Sequence, residues 1–329
     1  LLFQRSSETR EEVGQTNVYL DRDKSATFGG FVIRGRPLKE FEPVFFNSML
    51  KTSKARKDIT SRSGGSTRYN IGQESLEDVL VSVAPTLSEQ QKIAAFMMAM
   101  DELIQQLNQK KALLEDYKKG VMQQLFTQTL RFKDNRGNEF PDWEEKALGE
   151  VLREHKQKSD GTETVYSVSV HKGLVDQVEH LGRSYAAAST SHYNRVNPND
   201  IVYTKSPTGD FPLGIIKQSH ASESVIVSPL YGVFKPESPV LGRLLEIYFE
   251  SPCNVHNYLH SLIQKGAKNT FSINNSTFLS KPLRLPVSLE EQQKLGAFFT
   301  ALDRKIESVA NQITHTQAFK KGLLQQMFV

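Results

Sequence analysis

The residues best suited to do chemistry are cations set among small polar side chains. Residues 51–68 hold Lys51, Lys54, Arg56, Lys57, Arg62 and Arg68 against a single acid, Asp58, interspersed with Ser61, Ser63, Gly64, Gly65, Ser66 and Thr67. Small flexible donors beside positive charge let backbone amides and hydroxyls approach phosphate oxygens closely, and the cations add attraction that does not depend on base sequence. Residues 264–270 (QKGAKNT) and 204–210 (TKSPTGD) have the same character with less charge, and 4–7 (QRSS) pairs with the latter. The whole chain carries only +4, from 41 Lys and Arg against 37 Asp and Glu. Any polyanion-binding surface is therefore local, and a histone-like binder is excluded.

Other chemistries lack their residues. No GxxxxGK[ST], GxGxxG, GxSxG or HExxH occurs. Cys253 is the single cysteine, which excludes a disulfide framework and CxxC zinc sites and fits a reducing, cytoplasmic compartment. His256 and His260 have helical i,i+4 spacing but no third ligand at a fixed distance, so they read as solvent-facing. The FPDWEEK run at 140–146 packs its acids too closely for a nuclease of the PD…(D/E)xK kind, and Asn197-Pro198-Asn199-Asp200 reads as a turn before a strand. No enzymatic activity, cofactor or metal is expected. No apolar run nears the roughly 20 residues a spanning helix needs, and no secretory signal opens the chain.

A duplication organises these residues. Residues 87–126 and 289–328 align without a gap at an offset of 202, and sixteen of the 40 positions are identical, among them Glu89-Gln90-Gln91-Lys92 with Glu291-Gln292-Gln293-Lys294, Asp101 with Asp303, and Lys118-Lys119-Gly120 with Lys320-Lys321-Gly322. Each copy predicts a long helix with a seven-residue apolar period: Ile93, Met100, Leu107, Leu114 and Val121, with Phe96, Leu103 and Tyr117 as companions, then Leu295, Leu302, Val309 and Leu323, with Phe298 and Phe319 as companions and Ile306 and Ile313 widening the stripe. Such a seam requires a partner helix, and the two copies are expected to pack antiparallel on each other. The helices should start at Ser88 and Glu290, just after Pro85 and Pro286.

The fold class is α+β: two mixed globular domains with two long helices forming an antiparallel coiled coil. The expected organisation is 1–86 as a first domain, cut short relative to the second, 87–130 as a helix, 131–141 as a linker, 142–287 as a second domain and 288–329 as a second helix. Strands are expected at 28–34, 165–170, 200–204, 213–217, 224–227 and 231–234, and short helices at 242–250 and 253–264, with 45–59 in that role in the first copy.

With the WEEKALGEV run at 143–151, VNPNDIVYTK at 196–205, the glycine-to-isoleucine turns at 64–71 and 266–273, and EQQK opening each helix, the chain resembles the specificity subunit of type I restriction-modification enzymes. The resemblance spans essentially the whole chain. It implies two target-recognition domains reading a bipartite duplex whose half-site spacing is set by the paired helices, with methylation and cleavage left to separate modification (methyltransferase) and restriction (endonuclease/translocase) subunits. The expected DNA-binding residues are Arg5, Ser6, Arg62, Ser66, Thr67 and Arg68 for one half-site. For the other they are Lys205, Ser206, Thr208, Lys265, Lys268, Asn269 and Thr270. The alternatives are the recognition half of a fused restriction–methylation enzyme and a protein-binding coiled-coil scaffold.

Overall fold

The structure, a computed structural model, describes residues 1–329 except 22, 185, 187, 188, 206, 207, 266–270 and 329, with backbone alone at 264, 265, 271 and 272. It divides into two compact units: Leu1–Leu113 with Lys305–Val329, and Leu114–Arg304.

The first unit opens with β1 (Leu2–Gln4), β2 (Ser6–Ser7), β3 (Thr16–Asn17) and β4 (Val32–Arg34). Helices α1 (Pro43–Met49) and α2 (Ser53–Ser61), strand β5 (Tyr69–Asn70) and helix α3 (Gln73–Glu77) follow, and then the long α4 (Leu87–Phe126). The sheet is antiparallel in the order β3-β1-β4, with Phe3 opposite both Thr16 and Ile33. Helix α1 starts where Pro43 supplies a helical φ and the Glu42 carboxylate accepts from Phe45 N. Val13, Phe45, Met49, Ile59, Ile71 and Phe328 fill the core, each contributing roughly 1.5–3 kcal/mol by leaving water. Only 32–34 of the expected strand at 28–34 is formed, because Gly29 O turns back to accept from Val32 N.

The second unit begins with β6 (Glu144–Ala147), α5 (Leu148–Val151) and β7 (Leu152–Glu154). Strands β8 (Tyr166–Ser169) and β9 (Gly173–Asp176), helix α6 (Gln177–Leu181) and strands β10 (Asn194–Val196), β11 (Ile201–Thr204), β12 (Ile215–Gln218), β13 (Val225–Val227) and β14 (Gly232–Pro236) follow. The unit closes with α7 (Pro239–Phe249), α8 (Pro252–Leu259), β15 (Gln264–Lys265), β16 (Phe271–Ser272), α9 (Asn275–Ser280) and β17 (Pro282–Leu285), before α10 (Leu289–Met327). Its main sheet runs β12-β11-β14-β7, and β6 pairs with β17. Tyr203 stacks on Phe278 at 4.6 Å between ring centroids and donates to Leu213 O, and burial raises its phenol pKa.

At 40 and 39 residues, α4 and α10 are rods of about 60 Å, and each starts within one residue of its expected position. In each unit they pair antiparallel. In the first, Asp101 bonds Lys320 while Ile93 and Ala94, earlier on α4, pack with Leu324, later on α10, and with Phe328 just past its end. In the second, Lys118 lies 2.7 Å from Asp303 while Val121, Met122 and Leu125 pack with Leu295 and Phe299.

The seam departs from the expected companions. Down α4 a strict four–three alternation of non-exposed residues runs through Ile93, Met97, Met100, Ile104, Leu107, Lys111, Leu114, Lys118, Val121 and Leu125, with Ala94 and Met122 buried beside it. Phe96, Leu103 and Tyr117 lie one position off it and are 40%, 42% and 54% exposed. On α10 Phe299 takes the seam while Phe298 packs on Phe132 and Phe319 is exposed. Ile93, Met100, Leu107, Leu114 and Val121 therefore sit at d, so the next seam residue is the a position four further on, not three. The shared EQQK motif has a structural use: Gln90 donates to Ala84 O at 2.9 Å and Gln292 to Pro286 O at 2.8 Å, each stapling the incoming chain to its helix.

Candidate nucleic-acid interface

In the first unit most of the expected contact residues meet at one rim. Residues 64–70 form a tight hairpin in which Gly64 and Asn70 exchange backbone hydrogen bonds of 3.0 and 2.8 Å. Gly65 takes φ +133°, and a Cβ there would lie 1.9 Å from Arg68 O, so only glycine closes this tip. Strand β5, the far arm of the hairpin, pairs with β2, setting Ser6 opposite Asn70 and Ser7 opposite Tyr69. Arg5, Ser6, Ser66, Thr67 and Arg68 are thereby gathered, and Asn70 Nδ2 braces the tip at Arg68 O, 3.1 Å away. Asn70 was missed by sequence reasoning; its place across a two-residue ladder from Ser6 leaves no local signal.

The cations are not equally free. Arg68 makes one loose pair, 3.7 Å to Glu8, with both side chains mostly exposed. Arg62 caps α2 and is engaged by Asp58 at 2.8 Å and Asp78 at 3.6 Å. Arg56 donates to Glu11 O and Val13 O at 2.8 and 2.6 Å, and burial lowers its pKa, so it holds a loop of the core. A cavity of about 720 Å³ opens on the sheet between Phe3, Gln15, Asn17, Phe28, Lys51 and Arg56.

In the second unit β15 and β16 form the corresponding hairpin, 202 residues later. Its tip, with the expected Lys268, Asn269 and Thr270, lies outside the described residues, as does Ser206; Lys265 is described in β15 by its backbone alone. Lys205 is exposed next to the end of β11, and its pKa is lowered by partial burial, against the opposing pull of Glu154. Thr208 exchanges backbone bonds with Phe211 in the loop that follows. Among the described residues no group of three His, Cys, Asp or Glu could hold a metal. His256 and His260 stack their rings at 4.8 Å. The Asn197–Asp200 stretch is a turn: Asp200, which accepts from Asn197 N at 2.7 Å, is also 2.7 Å from His155.

The hairpin of the first unit displays small hydroxyl donors and Arg68 together, a set suited to oxyanions. Residues 9–116 match the family described as "Type I restriction modification DNA specificity domain". A putative type I restriction enzyme MjaX specificity subunit of Methanocaldococcus jannaschii is 27% identical over 208 residues, 60% of this chain and 46% of the relative. The chain thus spans under half the length of that relative. In fold it is similar to the type I restriction-modification S subunit from M. genitalium, at TM-score 0.54 and 15% identity over 100% of this chain and 82% of that one. It also matches a chain from structural work on complex assembly and conformational transition of the type I R-M system, at TM-score 0.51 and 14% identity over 90% and 73%. Among the described residues no helix is long and apolar enough to cross a membrane.

Proposed function

We propose that this chain is the non-catalytic, DNA-reading subunit of a type I restriction-modification enzyme. Residues 1–86 and 142–287 act as recognition domains for the two halves of a bipartite duplex target, and the residues expected in each loop make the contacts. The paired helices, 87–130 and 288–329 with the linker 131–141, dock modification subunits, and the assembly recruits the restriction subunit. The observation that carries this reading is the glycine-closed hairpin at 64–70, which gathers Arg5, Ser6, Ser66, Thr67 and Arg68 at one rim. Backbone amides, hydroxyls and two guanidinium groups together match phosphate oxygens and base edges.

The test is duplex binding as a function of salt. Affinity should fall steeply, and Arg68→Ala should lower the log–log slope by about one phosphate contact. Arg62→Ala should lower it by less, because Asp58 and Asp78 already neutralise that side chain. A protein-binding scaffold would ignore duplex at low salt, and a slope unmoved by Arg68→Ala would remove the hairpin from the interface.

A further inference from the structure

The main sheet of the second unit ends in a rim that holds more than the expected contact residues. Strand β11 leaves the sheet at Thr204, β14 enters it at Gly232 and β7 leaves it at Glu154. The register sets Ile201 and Glu154 on either side of Phe234, and Tyr203 opposite Gly232. Side chains directly opposite one another share a face, so Glu154 lies on the face of Ile201 and Phe234. Lys205, exposed one residue past β11, is near enough to feel the Glu154 charge.

Asn275, the first residue of α9, reaches the same place and donates from Nδ2 to Glu154 Oε1 at 2.9 Å. Its Oδ1 is buried without a hydrogen-bond partner among the described residues. Gly232 leaves the room for it: a Cβ there would lie 2.9 Å from Asn275 Oδ1 and 2.7 Å from the Phe234 ring. Glu154 itself is half-buried, and the bond from Asn275 is the one its side chain makes among the described residues.

A carboxylate beside Lys205 works against a surface that meets phosphates. It repels them, and it favours a ligand only where a donor meets it. In the major groove such donors are exocyclic amines. Guanine shows two acceptors, thymine an acceptor and a methyl group, and adenine sets an acceptor beside its amine; cytosine alone shows an amine with no acceptor of its own next to it. We infer that Glu154 is a specificity-determining residue of the second recognition domain, its second oxygen accepting from the N4 amine of a cytosine while Asn275 holds the carboxylate in place. The inference rests on the DNA-reading role proposed above. Asn275 is a positioning residue, because its amide is turned onto Glu154 and its carbonyl oxygen is buried. Lys205 offsets the repulsion of the flanking phosphates.

The experiment selects duplexes from a randomised library on the full chain and sequences the bound fraction, for the unaltered chain, Glu154→Gln and Asn275→Ala. The unaltered chain should enrich a two-part motif with a cytosine fixed at one position of one half. Glu154→Gln can still accept from Asn275 but turns an amide N–H outward. Its cytosine preference at that position should fall by about tenfold or more, the scale of one base contact, with the other positions unchanged. Binding to unrelated duplex should tighten as a repulsive charge is removed. Asn275→Ala should blur the same position and no other. The assignment is overturned if every cytosine preference survives Glu154→Gln, or if Glu154→Gln loses the whole half while Asn275→Ala changes nothing; either result leaves the DNA-reading role standing. An unaltered chain that enriches no motif overturns that role, and the assignment with it.

Discussion

One ion pair is written twice in this molecule, and its two copies mean different things. Asp101 with Lys320 in the first unit and Lys118 with Asp303 in the second are the same two helix positions, 202 residues apart. In the first unit the Asp101 side chain is 64% exposed, though that of Lys320 is only 21% exposed. In the second the pair belongs to a network: Lys118 also reaches Glu250 at 2.6 Å, and Arg243 joins Glu246, Asp303 and Glu250. Glu246 in turn is 2.9 Å from His220. The difference lies in the helix packed beside the pair. Helix α7 brings Arg243 and Glu246, while α1 (PVFFNSM) brings no charge and meets the end of α10 through Phe45 on Phe328, the residue just past it, 5.1 Å apart. A buried charge is kept only where every neighbour is satisfied, so the second unit completes its network and the first uses aromatic packing.

The largest break is expected from Arg243→Met. It keeps volume but strips Glu246 and Asp303 of their shared cation, leaving a carboxylate that is only 3% exposed. Removing one partner of a buried pair costs about 3–5 kcal/mol; with His220 still on Glu246 and Lys118 on Asp303 the lower end is expected, readable as faster amide exchange across α7 with the first unit unchanged.

Next comes pH, which should move the two units in opposite directions at alkaline values. Lys118 is buried, which alone would lower its pKa, but Glu250 and Asp303 outweigh burial and raise it. Its stabilisation is therefore complete below the unfolded value of about 10.4 and is lost as pH rises through the folded value. Lys51 in the first unit is lowered, by burial first and then by Lys320, against Asp101. Its charged form is a penalty that is relieved as pH rises through that lowered value. At the acid end Glu246 remains depressed, because the His220 hydrogen bond and the charges of Arg243, His220 and Lys217 overcome its burial. Its contribution holds above about pH 4.3 and is lost as pH falls through the folded value. Exchange measured at pH 7 and again near pH 10 checks the opposition; parallel shifts in both units would contradict it.

The helices were readable because their signal is long and periodic, and a duplicated 40-residue match carries its own control. The strands β11, β13 and β14 were readable from β-branched and aromatic runs. Strands β6, β7 and β17 were not: EEKA, LRE and PLRL are too short and too charged to alternate, and they exist only because they complete sheet edges far away in sequence. The companion seam residues were misplaced by one position for a related reason. Phe96, Leu103 and Tyr117 are more hydrophobic than Lys111 and Lys118, and composition outweighed geometry. At the candidate interface the hairpin's charge was visible, but the engagement of Arg62 by Asp78 and of Arg56 by two carbonyls needed the fold.

The smallest effect is the sharpest test of the comparison, because it makes the same substitution twice. Asp303→Asn removes one carboxylate shared by Lys118 and Arg243, each of which keeps Glu250 or Glu246. Loss of charge-assisted bonds in this half-buried setting should cost about 1–3 kcal/mol. Asp101→Asn deletes the counterpart from a pair whose acid is exposed and has one partner, and the expected cost is about 0–1 kcal/mol. Salt separates them further. Between about 0.15 and 1 M the screening length falls from about 8 to about 3 Å, which erases an exposed pair and leaves a buried one nearly intact. The Asp101→Asn deficit should therefore vanish at high salt while the Asp303→Asn deficit persists. Equal deficits at both salts would mean that the duplicated pair, and not the helix beside it, sets its own strength.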